Sequence, residues 1–525
     1  MNGGAKLFYF AIFKNWQLYF LEIHMMRNFS KYFKACILVS AFLLSFQGFG
    51  QATDYITPRY KVTLPEAHIG DLDIDTRLMD SYEPVSDNIR QFYLDSRAFF
   101  SENSEADFTS VEILQAAQKY NIGLMAGPML GDLRADGLSL WLRPSVPTPL
   151  LIKVIHPTTS EEKTFHSGTI VPGQEQRITI DGLNSNTQYQ YEVYAKQNKI
   201  AAGSFTTCSE GDEEGIIRLA FGSGFHKIGL HNPNLIGQIV QRNPHAMLLM
   251  GDIAVDDRDN KINMHRSDYL LRDLSKPWQY LAANVPIYAS WDDHDYMNND
   301  LSGIPEGFSI ADQEALREMW HQNWNNPENT EEGIYFNSRI GSVEVIMLDT
   351  RSFRNNAARG EYGAYLGTDQ LAWLKETLEN STATFKVISS GTMWSDYISN
   401  GKDSWGTWDT LAREEIYRFI EKKEIPGVVL ISGDRHGARA FSIPRKEGFS
   451  FYEFGPASLG GVPGPEAIAK DSSHQLFGYL GKDFIAYGEF TFDSTGEEPS
   501  VVFRLIDEKG DILEEHKLKY SQLTP

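Results

Sequence analysis

The chain has 525 residues, with 48 lysines and arginines against 70 aspartates and glutamates, for a formal net charge of -22. Hydrophobic residues make up 42% and charged residues 22%, which is typical of a globular protein with a large core. At roughly 150 residues per domain, the length predicts several domains. The acidic charge argues against a nucleic-acid duplex or an anionic membrane surface as the main partner, because both require a basic surface. Acidic charge is also what sites for divalent cations require.

Residues 1–50 have the pattern of a leader that ends in a signal peptide. Basic residues precede an apolar run from 35 to 46, and small residues ending at Gly50 follow it. The run is too short to span a bilayer comfortably. We therefore predict export to the periplasm or the cell exterior and a mature chain without a membrane span, with a retained anchor as the alternative. Of the two cysteines, only Cys208 lies beyond the leader, so no internal disulfide is expected.

Three regions follow in chain order. Residues 52–125 mix loops with apolar residues at helical spacing, which predicts an N-terminal extension of helices and loops. From 126 to 210, short alternating strands separated by turns predict a small antiparallel β-sandwich, and Tyr189 enters a strand at a corner that resembles fibronectin type III-like domains. From 217 to 525, apolar strands alternate with helices, which predicts a layered α/β domain.

Four strands of the α/β region end in polar clusters. These clusters are Gly251-Asp252, Asp292-Asp293-His294-Asp295 with Asn299 behind it, Asp349-Thr350-Arg351, and Asp434-Arg435-His436. Carboxylates that converge at the rim of a core repel one another and lose hydration, and bound cations remove that cost. Oxygen ligands with one or two imidazoles suit Mn, Fe, Ca or Mg, and mixed sites also take Zn. Two adjacent ions can hold a phosphoryl group and activate water.

In this order, the four motifs resemble the alkaline phosphatase D family of metallophosphatases, and the resemblance covers residues 126–525. It implies a four-layer α/β/β/α sandwich preceded by the small β-sandwich. It also implies a binuclear-metal phosphohydrolase that cleaves phosphate mono- or diesters by attack of a metal-bound hydroxide. Its partner would be a small phosphoester, with lipid and nucleotide derivatives both open. The alternative is a periplasmic or surface metal-binding protein of the same fold that has lost catalysis.

The resemblance also implies the ligands of two divalent or trivalent ions. Asp252 would bridge the two ions, Asp293 would bind the second ion, and Asp434 and His436 would bind one ion each. The family usually has Ser-Cys after the first strand, where this chain has Gly224 in place of the cysteine. His226 is our candidate replacement ligand, and an ordinary loop histidine is the competing interpretation. A site without thiolate favours Mn, Zn or Ca over Fe.

The remaining roles concern the substrate. His294 would protonate the leaving oxygen or stabilise the transferring phosphoryl group, and Asp295 would orient His294. Asn299 and Arg351 would contact phosphate or a metal-bound water, although pairing of Arg351 with its neighbour Asp349 is the competing interpretation. Trp405 follows a strand in what we expect to be a long loop, and we expect it to line the substrate cleft, with packing of that loop as the alternative.

Overall fold

The structure is a computed structural model that describes residues 55–211, 214–254, 261–327, 332–399, 403–462, 464, 467–480 and 484–525. Thr57–Pro525 form one compact unit. The predicted leader and signal peptide lie outside the described residues. The domain boundaries that we predicted within the unit stay predictions. Within the described ranges, no helix is both long enough and apolar enough to cross a bilayer.

The region before the first strand is helical, as its apolar spacing predicts. It contains α1 (Leu64–Ile69), α2 (Leu72–Met79), α3 (Asp87–Glu102) and α4 (Val111–Lys119). Thr63 and Glu66 form a capping box at the start of α1, and Gly70 ends that helix at a positive φ of 58°. The Asp71 side chain then accepts a hydrogen bond from the Ile74 N–H at the start of α2. These local signals fix a sharp turn between the two short helices.

Seven strands follow, and they form two small antiparallel sheets. They are β1 (Leu124–Arg134), β2 (Gly137–Pro144), β3 (Leu150–Ile155), β4 (Glu162–His166), β5 (Gln176–Ile180), β6 (Gln188–Ala195) and β7 (Asn198–Thr206). The sheet orders are β1-β2-β5 and β4-β3-β6-β7. Buried residues such as Leu140 and Ile152 place both sheets in one apolar core. This arrangement agrees with the predicted antiparallel β domain.

Two larger mixed sheets carry the rest of the chain. Their strands are β8 (Ile216–Gly222), β9 (Ala246–Met250), β10 (Ile287–Ser290), β11 (Phe336–Ile340), β12 (Val343–Met347), β13 (Phe385–Ser390), β14 (Val428–Ser432), β15 (Ala438–Pro444), β16 (Ser450–Gly455), β17 (Gln475–Tyr479), β18 (Ala486–Asp493), β19 (Ser500–Asp507) and β20 (Ile512–Lys519). The orders are β10-β9-β8-β18-β19-β20 and β11-β12-β13-β14-β16-β15-β17. The neighbours β8, β9 and β10 are parallel, and so are β12, β13, β14 and β16.

Helices pack against both large sheets. They are α5 (Pro233–Gln241), α6 (His265–Asp273), α7 (Lys276–Asn284), α8 (Asp293–Tyr296), α9 (Ile310–Asn323), α10 (Gly367–Asn380) and α11 (Trp405–Lys422). One apolar cluster joins faces of both sheets, for example through Leu248 and Val387. The alternate strand residue Leu249 packs with α5 and α7, whereas Ile388 packs with α10 and α11. Strands such as β9 and β14 are therefore buried on both faces, which explains why they are continuous apolar runs.

Candidate metal centre

The predicted metal ligands follow the ends of parallel strands of the two large sheets. The loops after the parallel strands β8, β9 and β10 carry His226, Asp252 and Asp293, and the loop after β14 carries Asp434 and His436. The carboxyl ends of parallel strands meet at one edge of a sheet, which is where α/β proteins bind ligands. The structure brings side chains from these four segments into overlapping donor groups, each with ligand atoms within 4.8 Å of one another.

The backbone of these loops is held in a left-handed conformation. Gly251 has a φ of 87°, and a Cβ atom there would lie 2.3 Å from the Cβ of Asp292, so only glycine fits. Asp252 itself has a φ of 55°. The N–H of His226 donates to the Asp252 carbonyl at 2.9 Å, and the N–H of Gly224 donates to the Gly251 carbonyl at 3.1 Å. Strained residues of this kind concentrate at functional sites, because the surrounding structure must hold them in place.

The first donor group joins His226, Asp252 and His436, whose ligand atoms all lie within 4.8 Å of one another. The Nε2 atoms of the two histidines are 3.1 Å apart, and His226 Nε2 is 3.6 Å from Asp252 Oδ2. His226 and Asp252 are buried. His226 stays our candidate replacement ligand.

Two further groups contain the other predicted carboxylates. One joins Asp252, Asp293 and His294, and the other joins Asp292, Asp293 and Asp434, again with ligand atoms within 4.8 Å. Asp252 thus occurs in two adjacent groups, which is the position that a bridging ligand needs. Asp292 was not among our predicted ligands, because a strand-end carboxylate often only caps a loop. Only its contacts across the fold reveal its place in the cluster.

The negative charges of these buried carboxylates repel one another when no cation is bound. Burial and the charge of Asp293 raise the pKa of Asp252 well above its usual value. Burial and the charge of Asp292 likewise raise the pKa of Asp434 well above its usual value, and burial raises the pKa of Asp292 to about 6. Burial acts in the same direction on Asp293, but the positive charges of Arg351 and His294 outweigh it and lower its pKa. A bound cation would stabilise all four carboxylates in their charged form.

The donor atoms fit metal ions. Among the described residues, Asp252 Oδ1, Asp292 Oδ2, Asp293 Oδ1 and Asp434 Oδ2 are buried oxygens that accept no hydrogen bond. Unsatisfied buried carboxylate oxygens are costly, so they require a partner of another kind. Carboxylate oxygens with two imidazoles match the donor preferences of Mn and Zn.

Arg351 faces carboxylates. It is fully buried, its Nε donates to Asp292 Oδ1, and its Nη2 lies 3.0 Å from Asp403 Oδ2 and 3.7 Å from Asp293 Oδ1. Arg354 Nη1 donates to both oxygens of Asp403, at 3.0 Å and 2.9 Å. The predicted contact of Arg351 with phosphate stays a prediction, and the competing pairing of its side chain with Asp349 is replaced by pairing with Asp292 and Asp403. Sequence analysis does not indicate Asp403, because this residue lies in a loop with no metal-binding motif.

The remaining predicted residues have different outcomes. The Asp295 carboxylate accepts hydrogen bonds from the N–H groups of Ile253 and Ala254, at 3.0 Å and 3.3 Å, so it ties two site loops together. Its predicted role in orienting His294 is not tested by these contacts. Asn299 is exposed, and its side-chain amide donates to Asp300 at 3.0 Å.

Trp405 does not line the cleft, and that prediction was wrong. The residue begins helix α11 and is fully buried. Its ring stacks on Trp394 at a centroid distance of 4.7 Å, and its Nε1 donates to Ser390 Oγ at 3.0 Å. Burial removes the apolar indole surface from water, and the hydrogen bond to Ser390 satisfies its N–H, so the core position is favourable for Trp405.

His68 is a further residue beside the site that the sequence did not indicate. It lies on α1, outside every motif, yet its ring centroid is 4.4 Å from that of His294 and 5.6 Å from that of His226. These three histidines also form a donor group with ligand atoms within 4.8 Å. A lone histidine in a helical extension carries no local signal of such a role.

Two solved structures share the fold of this chain. The structure of PhoD aligns with a TM-score of 0.58 at 19% identity, covering 74% of this chain and 91% of that chain. A purple acid phosphatase from yellow lupin (Lupinus luteus) seeds aligns with a TM-score of 0.56 at 11% identity, covering 75% of each chain. At these identities, the two similarities show a shared fold.

Sequence comparison agrees with the motifs. Residues 238–476 match the family model for PhoD-like phosphatases. Alkaline phosphatase D of Bacillus subtilis (strain 168) is 26% identical over 223 residues, which is 36% of this chain and 36% of that relative. The alignment thus spans little more than a third of the curated relative. The predicted resemblance to the alkaline phosphatase D family is confirmed.

Proposed function

We propose that this protein is a phosphoesterase that hydrolyses phosphate mono- or diesters with two bound metal ions. The observation that carries the proposal is the position of Asp252 and Asp293, which each take part in two overlapping donor groups with His294 against them. The match of residues 238–476 to a phosphatase family and the shared fold also support a phosphoesterase.

Five side chains would hold the ions. His226, Asp252 and His436 would bind one, and Asp293 and Asp434 would bind the other together with Asp252. When bound, such ions neutralise phosphoryl oxygens and acidify water. The absence of thiolate from these donors favours Mn, Zn or Ca over Fe.

A protein side chain near the ions would then supply the proton that the leaving oxygen needs. Hydrolysis joins an oxygen of water to phosphorus and breaks the bond between phosphorus and the leaving oxygen, which needs a proton. His294 is nearly buried and lies in one donor group with Asp252 and Asp293, so it is placed to give that proton. Asp295 would keep the two loops that carry these residues in register through its bonds to Ile253 and Ala254.

Several finer assignments belong to the same proposal. We propose a four-layer α/β/β/α arrangement, which the apolar clusters on both faces of each large sheet support. We also propose that residues 126–210 are fibronectin III-like, that the leader directs export, and that the substrate is a small phosphoester of lipid or nucleotide origin. The N-terminal sequence pattern supports export.

Purified protein stripped with a chelator and reloaded with Mn, Zn or Ca tests the activity. We expect hydrolysis of an aryl phosphate or a bis-aryl phosphate that disappears on stripping, returns on reloading, and is lost in Asp252→Asn and His294→Ala. Exposed His166→Ala is the matched control and should retain the activity. Turnover that is independent of metal, or undiminished in both site variants, would overturn the proposal. Two tightly held ions without hydrolysis of either ester would instead favour the metal-binding alternative.

A further inference from the structure

His68 comes from the N-terminal helical extension and stands beside the metal centre. It is half-buried, whereas His226 and His294 are nearly inaccessible, so it lies between the cluster and solvent. Its ring is tilted by 35° to that of His294 at a centroid distance of 4.4 Å. A group bound at the solvent side of the ions would therefore meet both imidazoles.

The helix that carries His68 is anchored to the rest of the extension. Gly70, which caps that helix, accepts a hydrogen bond through its carbonyl from Arg97 Nη2 at 2.8 Å. Arg97 Nε donates to Asp75 Oδ2 at 2.8 Å, and the Tyr93 hydroxyl donates to the same oxygen at 2.7 Å. Asp75 and Tyr93 are fully buried. Helices α1, α2 and α3 are thus joined by one buried polar network.

The same network continues into the site loop. Lys227, the neighbour of His226, is buried, and its Nζ lies 3.3 Å from Asp268 Oδ1 and 3.9 Å from Asp75 Oδ1. A buried ammonium is stable only with such partners. The extension and the metal-site loop are therefore held together, which fixes His68 over the cluster.

A phosphoryl group at the ions needs hydrogen-bond donors for its outer oxygens. The two arginines that follow β12 contact carboxylates: Arg351 contacts Asp292 and Asp403, and Arg354 contacts Asp403. Imidazole N–H groups are a second kind of donor, and the described donor groups place them beside the carboxylates. Two of these, His68 and His294, stand next to each other.

We propose that His68 binds the phosphoryl oxygens of the substrate together with His294, so that the N-terminal extension forms part of the active site. The proposal rests on the proposed phosphoesterase function. It makes His68 a substrate-binding residue whose contact exists in both the bound substrate and the transition state. Loss of such a contact raises KM and leaves kcat nearly unchanged.

The test measures binding of inorganic phosphate to the metal-loaded protein by calorimetry, together with metal content and steady-state kinetics. For His68→Ala we expect an unchanged metal content. The dissociation constant for phosphate should rise roughly tenfold or more, and KM should rise by a similar factor. His68→Gln, which keeps an N–H donor, should recover part of the affinity. Exposed His166→Ala is the control and should match the parent protein.

Two outcomes would overturn the proposal. Loss of a metal ion in His68→Ala would make His68 a ligand of the group that it forms with His226 and His294. Unchanged phosphate affinity and KM would make it a packing residue. Failure of the phosphoesterase function would look different, because the parent protein would then bind phosphate in a His68-dependent manner without hydrolysing any ester.

Discussion

His226 and His436 come from different sheets and place their Nε2 atoms 3.1 Å apart. With bonds of about 2.1 Å from Zn to an imidazole nitrogen, two nitrogens on one ion are separated by roughly 3 to 3.5 Å. The spacing of the two nitrogens therefore fits two ligands of a shared cation. Asp252 Oδ2 at 3.6 Å from His226 completes the same set.

Removal of either imidazole should weaken metal binding. Outer partners of metal ligands change affinity by about 10- to 100-fold, so His226→Ala and His436→Ala should each lose at least that much. Chelator competition with Mn or Zn and elemental analysis measure the effect. His166→Ala serves as the control. Retention of two ions at parent affinity in His226→Ala would identify this residue as an ordinary loop histidine.

Arg351→Ala should destabilise the fold, because it leaves Asp292 buried without its main counter-charge and removes one of the two arginines that contact Asp403. Breaking a buried ion pair from one side costs about 3–5 kcal/mol. Urea unfolding of the metal-free protein gives the free energy of unfolding directly. The exposed Arg418→Ala is the matched control and should change stability by no more than about 0.5 kcal/mol. Equal stability of both variants would contradict the ion-pair assignment.

Trp405→Ala should act on stability and leave substrate binding intact. Removing a buried tryptophan costs about 3–5 kcal/mol through lost contacts and a residual cavity, and this indole also loses its bond to Ser390. The milder Trp405→Phe is suited to kinetics because it keeps most of the packing. We expect an unchanged KM for an aryl phosphate in Trp405→Phe. A raised KM in Trp405→Phe, with the stability of the parent protein, would instead support our first prediction that Trp405 lines the substrate cleft.

His231 should make the fold sensitive to acid. It is 5% exposed, and burial lowers its pKa from the usual 6.5 to about 4. The folded protein therefore holds a neutral imidazole that the unfolded chain protonates below pH 6.5. Its stabilising contribution is complete above pH 6.5. As the pH falls from 6.5 to about 4, the free energy of unfolding drops by up to about 1.4 kcal/mol per pH unit, and the contribution is lost once the pH passes the folded pKa.

Urea unfolding at intervals from pH 7 to pH 4 measures this contribution. His231→Leu has a similar volume and does not titrate, so its stability should fall less steeply over this range than that of the parent protein. The difference between the two curves isolates His231 from the other titrating groups. Parallel curves would show that the imidazole contributes nothing to the acid sensitivity.

The sequence by itself determined the parts of this protein that depend on local pattern. Runs of apolar β-formers predicted the strands, and the residues that end them predicted where Asp252, Asp293, Asp434 and His436 would gather. The order of those motifs also predicted the family resemblance, which the family match confirms. Motifs at strand ends can be recognised in the sequence because a strand and the loop that follows it are contiguous in the chain.

The tertiary structure alone decided the rest. The burial of Trp405, the pairing of Arg351 with Asp403 and the approach of His68 to His294 all join residues far apart in sequence. Such contacts depend on how helices and sheets pack, and no local spacing encodes them. The residue type alone does not show whether an aromatic ring or a charged group is buried or exposed. Its three-dimensional surroundings decide whether it packs in the core, forms an ion pair or contacts a ligand.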